Sequence, residues 1–174
     1  MKKFYHTCAA LAVLASPAFA GAADVLPSSE DDIVMYRTAG PWAVHQNNTS
    51  KTCLISQKGE NGGLVQMGLT ATGDYGYLGV FAQGAEVEEG LKEVAVLVND
   101  NVYLGQSEAV SHGLEDGYKG GYILTDNPNF VKDLEKEGEL VAFPDTPFIY
   151  TINLDGAKNA IYEARKCTDE LQGS

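Results

Sequence analysis

A serine followed closely by a histidine is the nearest approach in this sequence to a catalytic nucleophile. Residues 105–109 read Gly-Gln-Ser-Glu-Ala, which resembles the nucleophile motif G-x-S-x-G with alanine in the last position. That motif works when the serine occupies a tight strand-to-helix turn and the fold supplies histidine and acidic partners. His112 follows Ser107 in a Val-Ser-His-Gly run that is a poor helix start. The sequence therefore favours a polar turn or edge strand, with a small exported hydrolase using Ser107 and His112 as the alternative.

The histidines and nearby acids do not follow a recognisable metal-ligand spacing. Beyond the N-terminal segment the sequence has His45 and His112, without an H-x-H, H-E-x-x-H or Cys-His pattern. Neither residues 99–101 (Asn-Asp-Asn) nor residues 115–117 (Glu-Asp-Gly) continue as a calcium-binding loop. We expect no metal ion and no other cofactor.

An acidic stretch surrounds Gly90 and contains Glu86, Glu88, Glu89 and Glu93. Such a stretch is typical of a solvated hairpin loop, where charge keeps a strand edge from pairing with another chain. It is also suited to attract a basic partner. A carboxylate pair for glycoside hydrolysis depends on separation in space, which the sequence does not give, so this alternative stays open.

Tyrosines lie beside glycine-rich turns in two segments. Tyr75 and Tyr77 belong to the run Gly-Asp-Tyr-Gly-Tyr, and Tyr118 and Tyr122 to the run Gly-Tyr-Lys-Gly-Gly-Tyr. Tyrosines displayed on turns supply apolar area and a hydroxyl at low entropic cost, which suits contact with a protein or a sugar. The alternative is cross-strand packing on a sheet. These four residues are the candidate ligand-binding residues.

The elements that must position these residues are mostly strands. Short apolar runs with β-branched or aromatic residues recur between glycine-rich turns, and several alternate as half-buried strands do. They cover residues 33–36, 42–45, 53–57, 64–72, 77–83, 93–98, 102–105, 122–125, 139–143 and 148–154. Residues 99–101 predict a hairpin turn. Because strands do not alternate with helices, we expect a mainly β (α+β) fold, an antiparallel β-sandwich or flattened barrel.

Two segments have helical spacing instead. The first has a cap at Asp126-Asn127, Pro128 at the first helical position and a stop at Gly138. The second follows Asp155 as the predicted cap. Its apolar stripe comprises Ala157, Ala160, Ile161, Ala164, Cys167 and Leu171. The sequence therefore predicts a short internal helix and a C-terminal helix.

The N-terminus has the pattern of a secretory signal. Lys2 and Lys3 precede an apolar run over residues 8–15, Pro17 breaks it, and Ala-Phe-Ala at 18–20 matches a cleavage site. We expect residues 1–20 to be a signal peptide cleaved near Ala20. Residues 21–32 then form a flexible acidic leader and residues 33–174 a single β-rich domain. The protein is expected to be exported, to the periplasm or beyond.

Export would remove Cys8 and leave Cys53 and Cys167 in an oxidising compartment, where a disulfide is the default. Because Cys167 lies on the apolar stripe, it is placed to link the C-terminal helix to the strand that carries Cys53. The sequence lacks a C-x-x-C redox motif. We therefore expect one structural disulfide, Cys53–Cys167.

Composition narrows the choice of partners. The chain of 174 residues has 12 basic and 24 acidic side chains, a net charge of −12. Nucleic-acid binding needs clustered Lys and Arg, and anionic membrane surfaces also select basic proteins. Beyond the signal segment, no stretch approaches the roughly eighteen apolar residues of a membrane span. We expect no nucleic-acid partner and no membrane insertion.

The layout as a whole resembles a known family. Residues 42–44 read Trp-Ala-Val, Cys53 follows, and a Val-Leu-Val-Asn-Asp strand covers residues 96–100. After the Phe130-to-Leu134 helix, residues 152–161 read Ile-Asn-Leu-Asp-Gly-Ala-Lys-Asn-Ala-Ile and lead to Cys167. This resembles the small exported proteobacterial proteins of the invasion-associated locus B type. The resemblance implies a fold and a periplasmic or surface address, a link to host-cell invasion in some pathogens, and no catalytic residues.

These observations favour a non-enzymatic periplasmic or secreted binding protein that engages a protein or cell-envelope ligand. The exported hydrolase is the alternative from a different class. A purely structural envelope component is the third possibility.

Overall fold

Antiparallel strands are the main secondary structure of the protein in the computed structural model. The structure describes residues 25–28, 30–59, 62–70, 72–85, 91–109, 117–144 and 146–173, with the backbone alone at 91–93 and 105–109. The predicted signal peptide lies outside the described residues. The strands are β1 (Ile33–Ala39), β2 (Trp42–Asn47), β3 (Thr52–Lys58), β4 (Gly63–Leu69), β5 (Gly76–Gln83), β6 (Leu91–Val98), β7 (Asn101–Ala109), β8 (Tyr118–Thr125), β9 (Glu139–Ala142) and β10 (Tyr150–Asn153). The helices are α1 (Pro128–Leu134) and α2 (Ala157–Gln172).

The strands form one continuous sheet in the order β1-β2-β3-β4-β5-β8-β7-β6-β9-β10. The sheet folds over so that β10 contacts β4. There the buried Tyr150 hydroxyl donates a hydrogen bond to the Leu64 carbonyl (2.8 Å) and accepts one from the Phe81 amide (3.1 Å). The predicted fold is thereby confirmed as a mainly β (α+β) antiparallel sandwich with two helices.

The core lies between the two layers of this folded sheet. Val65 and Leu78 point inward from one layer, and Val98, Leu140 and Ile152 point inward from the other; all five are buried. Alternation along each strand places these residues on a single face, as the period of two requires. Burying each such side chain contributes roughly 1.5–3 kcal/mol, so the two layers stabilise each other.

The turn between β6 and β7 is tighter than the three-residue turn predicted from sequence. Asn99 and Asp100 alone form it, with φ of 49° and 67°, and Asn101 already pairs with Val98. Two consecutive positive φ values are typical of a two-residue type I′ hairpin, and Asn and Asp tolerate them better than most residues. This turn fixes the register of the whole β6–β7 hairpin.

Helix α1 begins where the sequence predicts. The Asn127 side chain accepts a hydrogen bond from the Asn129 amide (3.0 Å), and Pro128 occupies the first turn. The helix ends at Leu134, a turn earlier than the predicted stop at Gly138. The reason is a change to a tighter turn, in which the Lys136 amide bonds to the Asp133 carbonyl.

Helix α2 carries the predicted apolar stripe but begins differently. Asp155 is not its cap; the N-cap is Gly156, at φ 79° and without a capping side chain. The Asp155 carbonyl instead accepts a hydrogen bond from the Trp42 indole (3.1 Å). Glycine is favoured at this left-handed position, since the backbone of a residue with a side chain would be strained there. Trp42, the single tryptophan, is fully buried beneath this entry to the helix.

A disulfide joins α2 to the sheet. Cys53 on β3 and Cys167 on α2 are bonded across a sequence separation of 114, with Cα atoms 5.9 Å apart. Both residues are buried. The predicted Cys53–Cys167 disulfide is confirmed, and it ties α2 to β3.

Part of the predicted leader is packed on the sheet. Leu26 is buried in a second apolar cluster on the outer face, where it meets side chains of β3, β4, β5 and β8. The Asp31 carboxylate accepts hydrogen bonds from the Asn47 side-chain amide (2.6 Å) and from Ser28. Residues 25–28 and 30–32 are therefore anchored rather than detached, because Leu26 covers apolar surface.

Candidate functional site

Three of the four candidate tyrosines are buried and not displayed. Tyr77, Tyr118 and Tyr122 have exposed fractions of 3, 6 and 2 per cent, whereas Tyr75 is 39 per cent exposed. The Tyr122 ring makes edge contacts with the rings of Tyr77 and Phe81, at centroid distances of 5.6 and 5.2 Å. For Tyr77, Tyr118 and Tyr122 the predicted display on turns is thus corrected to cross-strand packing, because they face the cluster covered by Leu26. The ligand-binding role of the exposed Tyr75 stays a prediction.

The two hydroxyls at the centre of this cluster differ, because Tyr122 forms a hydrogen bond whereas the buried Tyr77 hydroxyl has no partner among the described residues. The Tyr122 hydroxyl donates a hydrogen bond to the Gln66 side chain (2.5 Å). Burial raises the pKa of Tyr122 and that of Tyr77 well above their ordinary value. Both phenols therefore stay neutral over the physiological range and are suited to packing.

Ser107 lies inside a strand and not on a strand-to-helix turn. Its backbone pairs with Lys92 of β6 on one side and with Ile123 of β8 on the other. A nucleophile motif needs the sharp turn to expose the hydroxyl, and this backbone does not provide it. His112 lies outside the described residues.

Among the remaining polar candidates, the structure describes the side chain of His45 and the backbone of Glu93. His45 on β2 is half-buried, its Nε2 atom lies 2.8 Å from the Ser56 hydroxyl, and burial lowers its pKa. Glu86, Glu88 and Glu89 lie outside the described residues, and Glu93 has only its backbone placed, on β6. Among the described residues, no group of three His, Cys, Asp or Glu side chains is arranged to hold a metal ion.

Within the part of the chain that the structure describes, no helix is long and apolar enough to cross a membrane. Among the exposed large apolar residues that lie on strands, those of β7 have the largest exposed fractions.

The most distinctive surface lies where β7 and β8 separate. These strands pair only between Ser107–Ala109 and Gly121–Ile123. The first part of β7, residues 101–106, pairs with β6 alone among the described strands. A cleft of about 370 Å³, open to solvent, separates it from the end of β8. We call this space the β7–β8 cleft.

The first part of β7 presents backbone hydrogen-bonding groups to this cleft. Val98 and Asn101 close the two-residue hairpin as a pair, so alternate residues of β7 bond to β6 from there on. The N–H and C=O groups of Val102 and Leu104 consequently point away from β6. Among the described residues, neither has a backbone partner on that side.

The same two residues carry an apolar surface. The Val102 and Leu104 side chains are 61 and 66 per cent exposed, on the face opposite the core. Next to them across the hairpin lie Leu97 and Ala95, and Val141 of β9 follows Leu97; these three are half-buried. We call these five side chains the outer apolar row.

The walls of the cleft combine apolar and polar residues. Ile123, Leu124 and Phe130 are among its apolar lining residues. Thr125 and the exposed Asp126 line the end where β8 leads towards α1. An apolar surface beside unpaired backbone groups and a carboxylate can bind an extended peptide chain. Main-chain hydrogen bonds and side-chain contacts would then act together.

A polar cluster behind β7 fixes the strand to α1. The buried Asp133 carboxylate accepts hydrogen bonds from Tyr103, from the Asn101 side chain (2.9 Å) and from Lys136 (2.5 Å). The Lys136 hydrogen bond, and next that of Tyr103, hold the pKa of Asp133 below its usual value. The hydrogen bond to Asp133 raises the pKa of Tyr103 to about 12. The open edge is therefore supported from the inner side.

A second, much smaller cleft of about 50 Å³ lies between the two helices and the sheet. Its walls are Ile55, Met67, Phe130, Leu134, Ile161 and Ala164. At its rim Arg165 forms an ion pair with Glu135 (3.3 Å). It adjoins Cys53, so its shape depends on how the disulfide holds α2.

No family model, no curated protein and no solved structure matches this chain in the three comparisons. The resemblance to proteins of the invasion-associated locus B type accordingly stays a prediction from sequence. The β7–β8 cleft and the outer apolar row are the structural features from which a function is inferred.

Proposed function

We propose that this protein is a non-enzymatic, exported binding protein that engages another protein through the outer apolar row and the β7–β8 cleft. The observation that carries the proposal is the exposure of Val102 and Leu104 on a strand whose edge is open. Contiguous exposed apolar side chains beside polar groups are typical of protein-interaction sites.

Export is supported by two independent features. Residues 1–20 have the charge, apolar run and Ala-Phe-Ala site of a signal peptide. The buried Cys53–Cys167 disulfide is of the kind that persists in oxidising compartments. We propose on the same basis that the protein acts in the periplasm or after secretion, as the resemblance to the invasion-associated locus B type implies.

The rigidity of the scaffold also supports binding. The type I′ turn fixes one end of β7, and the Asp133 cluster holds Asn101 and Tyr103 from behind. A preorganised surface loses less conformational entropy when a partner binds. The outer apolar row therefore already has a fixed conformation before a partner binds.

The test compares partner capture by matched variants. The double variant Val102→Ser/Leu104→Ser removes apolar area without adding charge, and Tyr162→Ser removes a similarly exposed side chain, 63 per cent exposed, from α2. Proteins crosslinked to each purified variant in the native periplasm are quantified by mass spectrometry.

We expect a partner recovered with the wild-type protein and Tyr162→Ser to fall more than tenfold with the double variant, since each buried side chain contributes roughly 1.5–3 kcal/mol. Equal recovery with all three proteins, each folded by circular dichroism, would contradict the proposal.

A further inference from the structure

We infer that the partner segment is an extended chain of alternating apolar and basic residues, which adds to the edge of β7 as an extra strand in the β7–β8 cleft. This inference rests on the proposed function and specifies the chemistry of the partner. Its three components are the backbone of β7, the apolar side chains and the charge around the cleft.

The backbone component is the open edge itself. Residues 101–106 run beside the cleft without a strand partner on that side among the described residues. At about 3.3 Å per residue this is roughly 20 Å, enough for a segment of five or six residues. Such a segment would satisfy the N–H and C=O groups of Val102 and Leu104, as strand addition does in other complexes.

The side-chain component selects apolar residues at alternate positions. An added strand places every second side chain on the outer face, beside Val102 and Leu104. Apolar side chains there would continue the outer apolar row across one more strand. The intervening side chains would face the lining of the cleft, where Ile123 and Phe130 suit the alkyl part of a long side chain and Asp126 suits a charged end.

The charge component selects basic residues for the intervening positions. Asp126 lines the cleft and is exposed, and the exposed Asp100 lies in the hairpin turn where the open edge starts. The protein carries a net charge of −12, so a cationic segment is attracted over a longer range as well.

The same charge argues against a second copy of this chain as the occupant, since two such proteins repel each other at low ionic strength. The terminal strands of the sheet are less suited to addition. Strand β1 has a bulge at Tyr36, where the register shifts between Met35 and Arg37, and β10 is four residues long. Bulges and short lengths are ways in which proteins protect sheet edges.

The direct test uses three synthetic peptides and the wild-type protein. The probe is Lys-Val-Lys-Val-Lys-Val-Lys; one control replaces every lysine with glutamate, and the other replaces the central valine with proline, which cannot pair through its nitrogen. Binding is measured by fluorescence anisotropy, and amide hydrogen exchange is followed residue by residue by NMR.

We expect the lysine peptide to bind at least tenfold more tightly than either control. We also expect it to slow exchange of the Val102 and Leu104 amides at least tenfold. The Tyr103 and Gly105 amides already bond to β6, so their exchange is expected to change little. This alternating pattern is specific to strand addition.

Variants at Val102 give a second measurement. Val102→Pro removes the amide that points into the cleft, and Val102→Thr keeps that amide with a side chain of similar shape. We expect the proline variant to lose peptide binding and the threonine variant to bind within a few-fold of the wild type. If the proline variant does not fold, the exchange pattern in the wild-type protein decides the matter.

Three outcomes would overturn the inference. The first is equal binding of the lysine and glutamate peptides. The second is protection of Val102 and Leu104 before any peptide is added, including protection that appears with dimer formation in sedimentation. The third is a native partner that is lost with Val102→Ser/Leu104→Ser yet leaves these amides unprotected in the wild-type complex. That third result would retain the proposed function and reject strand addition.

Discussion

The Tyr103 hydroxyl donates a hydrogen bond to the Asp133 carboxylate, and this contact helps to link the strand with the open edge to α1. Asn101, two residues earlier on β7, bonds to the same carboxylate. Asp133 therefore holds two successive inward-facing positions of β7. Loosening this carboxylate is expected to affect the order of the edge before it affects the rest of the sheet.

Asp133 should make stability depend on pH in the acid range. Its pKa in the folded protein is lowered, so its contribution is complete above the ordinary value of 3.8 and is lost as the pH falls through the lowered value. We expect Asp133→Asn to lower the melting temperature at pH 7. The difference from the wild type should shrink as the pH falls below 3.8, as followed by circular dichroism from pH 2 to pH 7.

A control for this experiment is Asp155→Asn. Its carboxylate accepts a hydrogen bond from the Asn153 side chain at an exposed position. We expect little change in melting temperature at any pH for this variant. If the difference in melting temperature between the wild type and Asp133→Asn stays constant down to pH 2, the assigned role of Asp133 is contradicted.

The Cys53–Cys167 disulfide should contribute a large share of the stability. It closes a loop with a sequence separation of 114, for which the loss of chain entropy in the unfolded state amounts to about 4–5 kcal/mol. We expect the double variant Cys53→Ala/Cys167→Ala to lower the free energy of unfolding by roughly 2–5 kcal/mol in urea titrations. Reductant should shift the wild-type curve towards that of the variant and leave the variant unchanged; coincident curves without reductant would refute the prediction.

The Tyr150 hydroxyl should make a measurable contribution to the free energy of unfolding. It bonds to both the Leu64 carbonyl and the Phe81 amide, which belong to facing residues of β4 and β5. Removing it in Tyr150→Phe leaves two buried backbone groups unsatisfied, so we expect a loss of about 1–3 kcal/mol in urea unfolding.

The matched control is Tyr162→Phe, because Tyr162 is 63 per cent exposed on α2. We expect its effect to stay within about 0.5 kcal/mol, as for most surface substitutions. Equal effects of the two variants would mean that Tyr150 does not close the two layers.

Chemical modification should separate the two tyrosines of the Gly-Asp-Tyr-Gly-Tyr segment. Tyr75 is exposed, whereas Tyr77 is buried and burial raises its pKa. We expect tetranitromethane to nitrate Tyr75 in the folded protein well before Tyr77, as measured by peptide mass spectrometry. After denaturation the two residues should react alike; early nitration of Tyr77 would contradict its place in the cluster.

Most elements of this fold were predictable because local chemistry decides them. Asn127-Pro128 specifies the start of α1, and the stripe that contains Cys167 specifies the buried face of α2. The start of α2 was not predictable in the same way. Asp155 has the side chain of a good cap. Its carbonyl instead accepts a hydrogen bond from Trp42, which lies 113 residues away in sequence.

The candidate site was hidden for a related reason. In Val102-Tyr103-Leu104 both faces of the strand are apolar, so periodicity does not show which face is covered. Nor does it show that β8 diverges after three paired residues. The burial of Tyr77 and Tyr122 was not predictable from their neighbours in sequence, because the residues that cover them include Leu26, which is far away along the chain.

The strand order has a consequence for how recognition by this scaffold can change over time. Strands β5 and β8 pair with each other along eight residues each. The β6–β7 hairpin lies between them in the sequence but takes no part in this pairing. Substitutions along the hairpin's outer side can accumulate while the β5–β8 register stays fixed. Related proteins could thus diversify their choice of partner at this one hairpin and inherit the remainder of the sandwich unaltered.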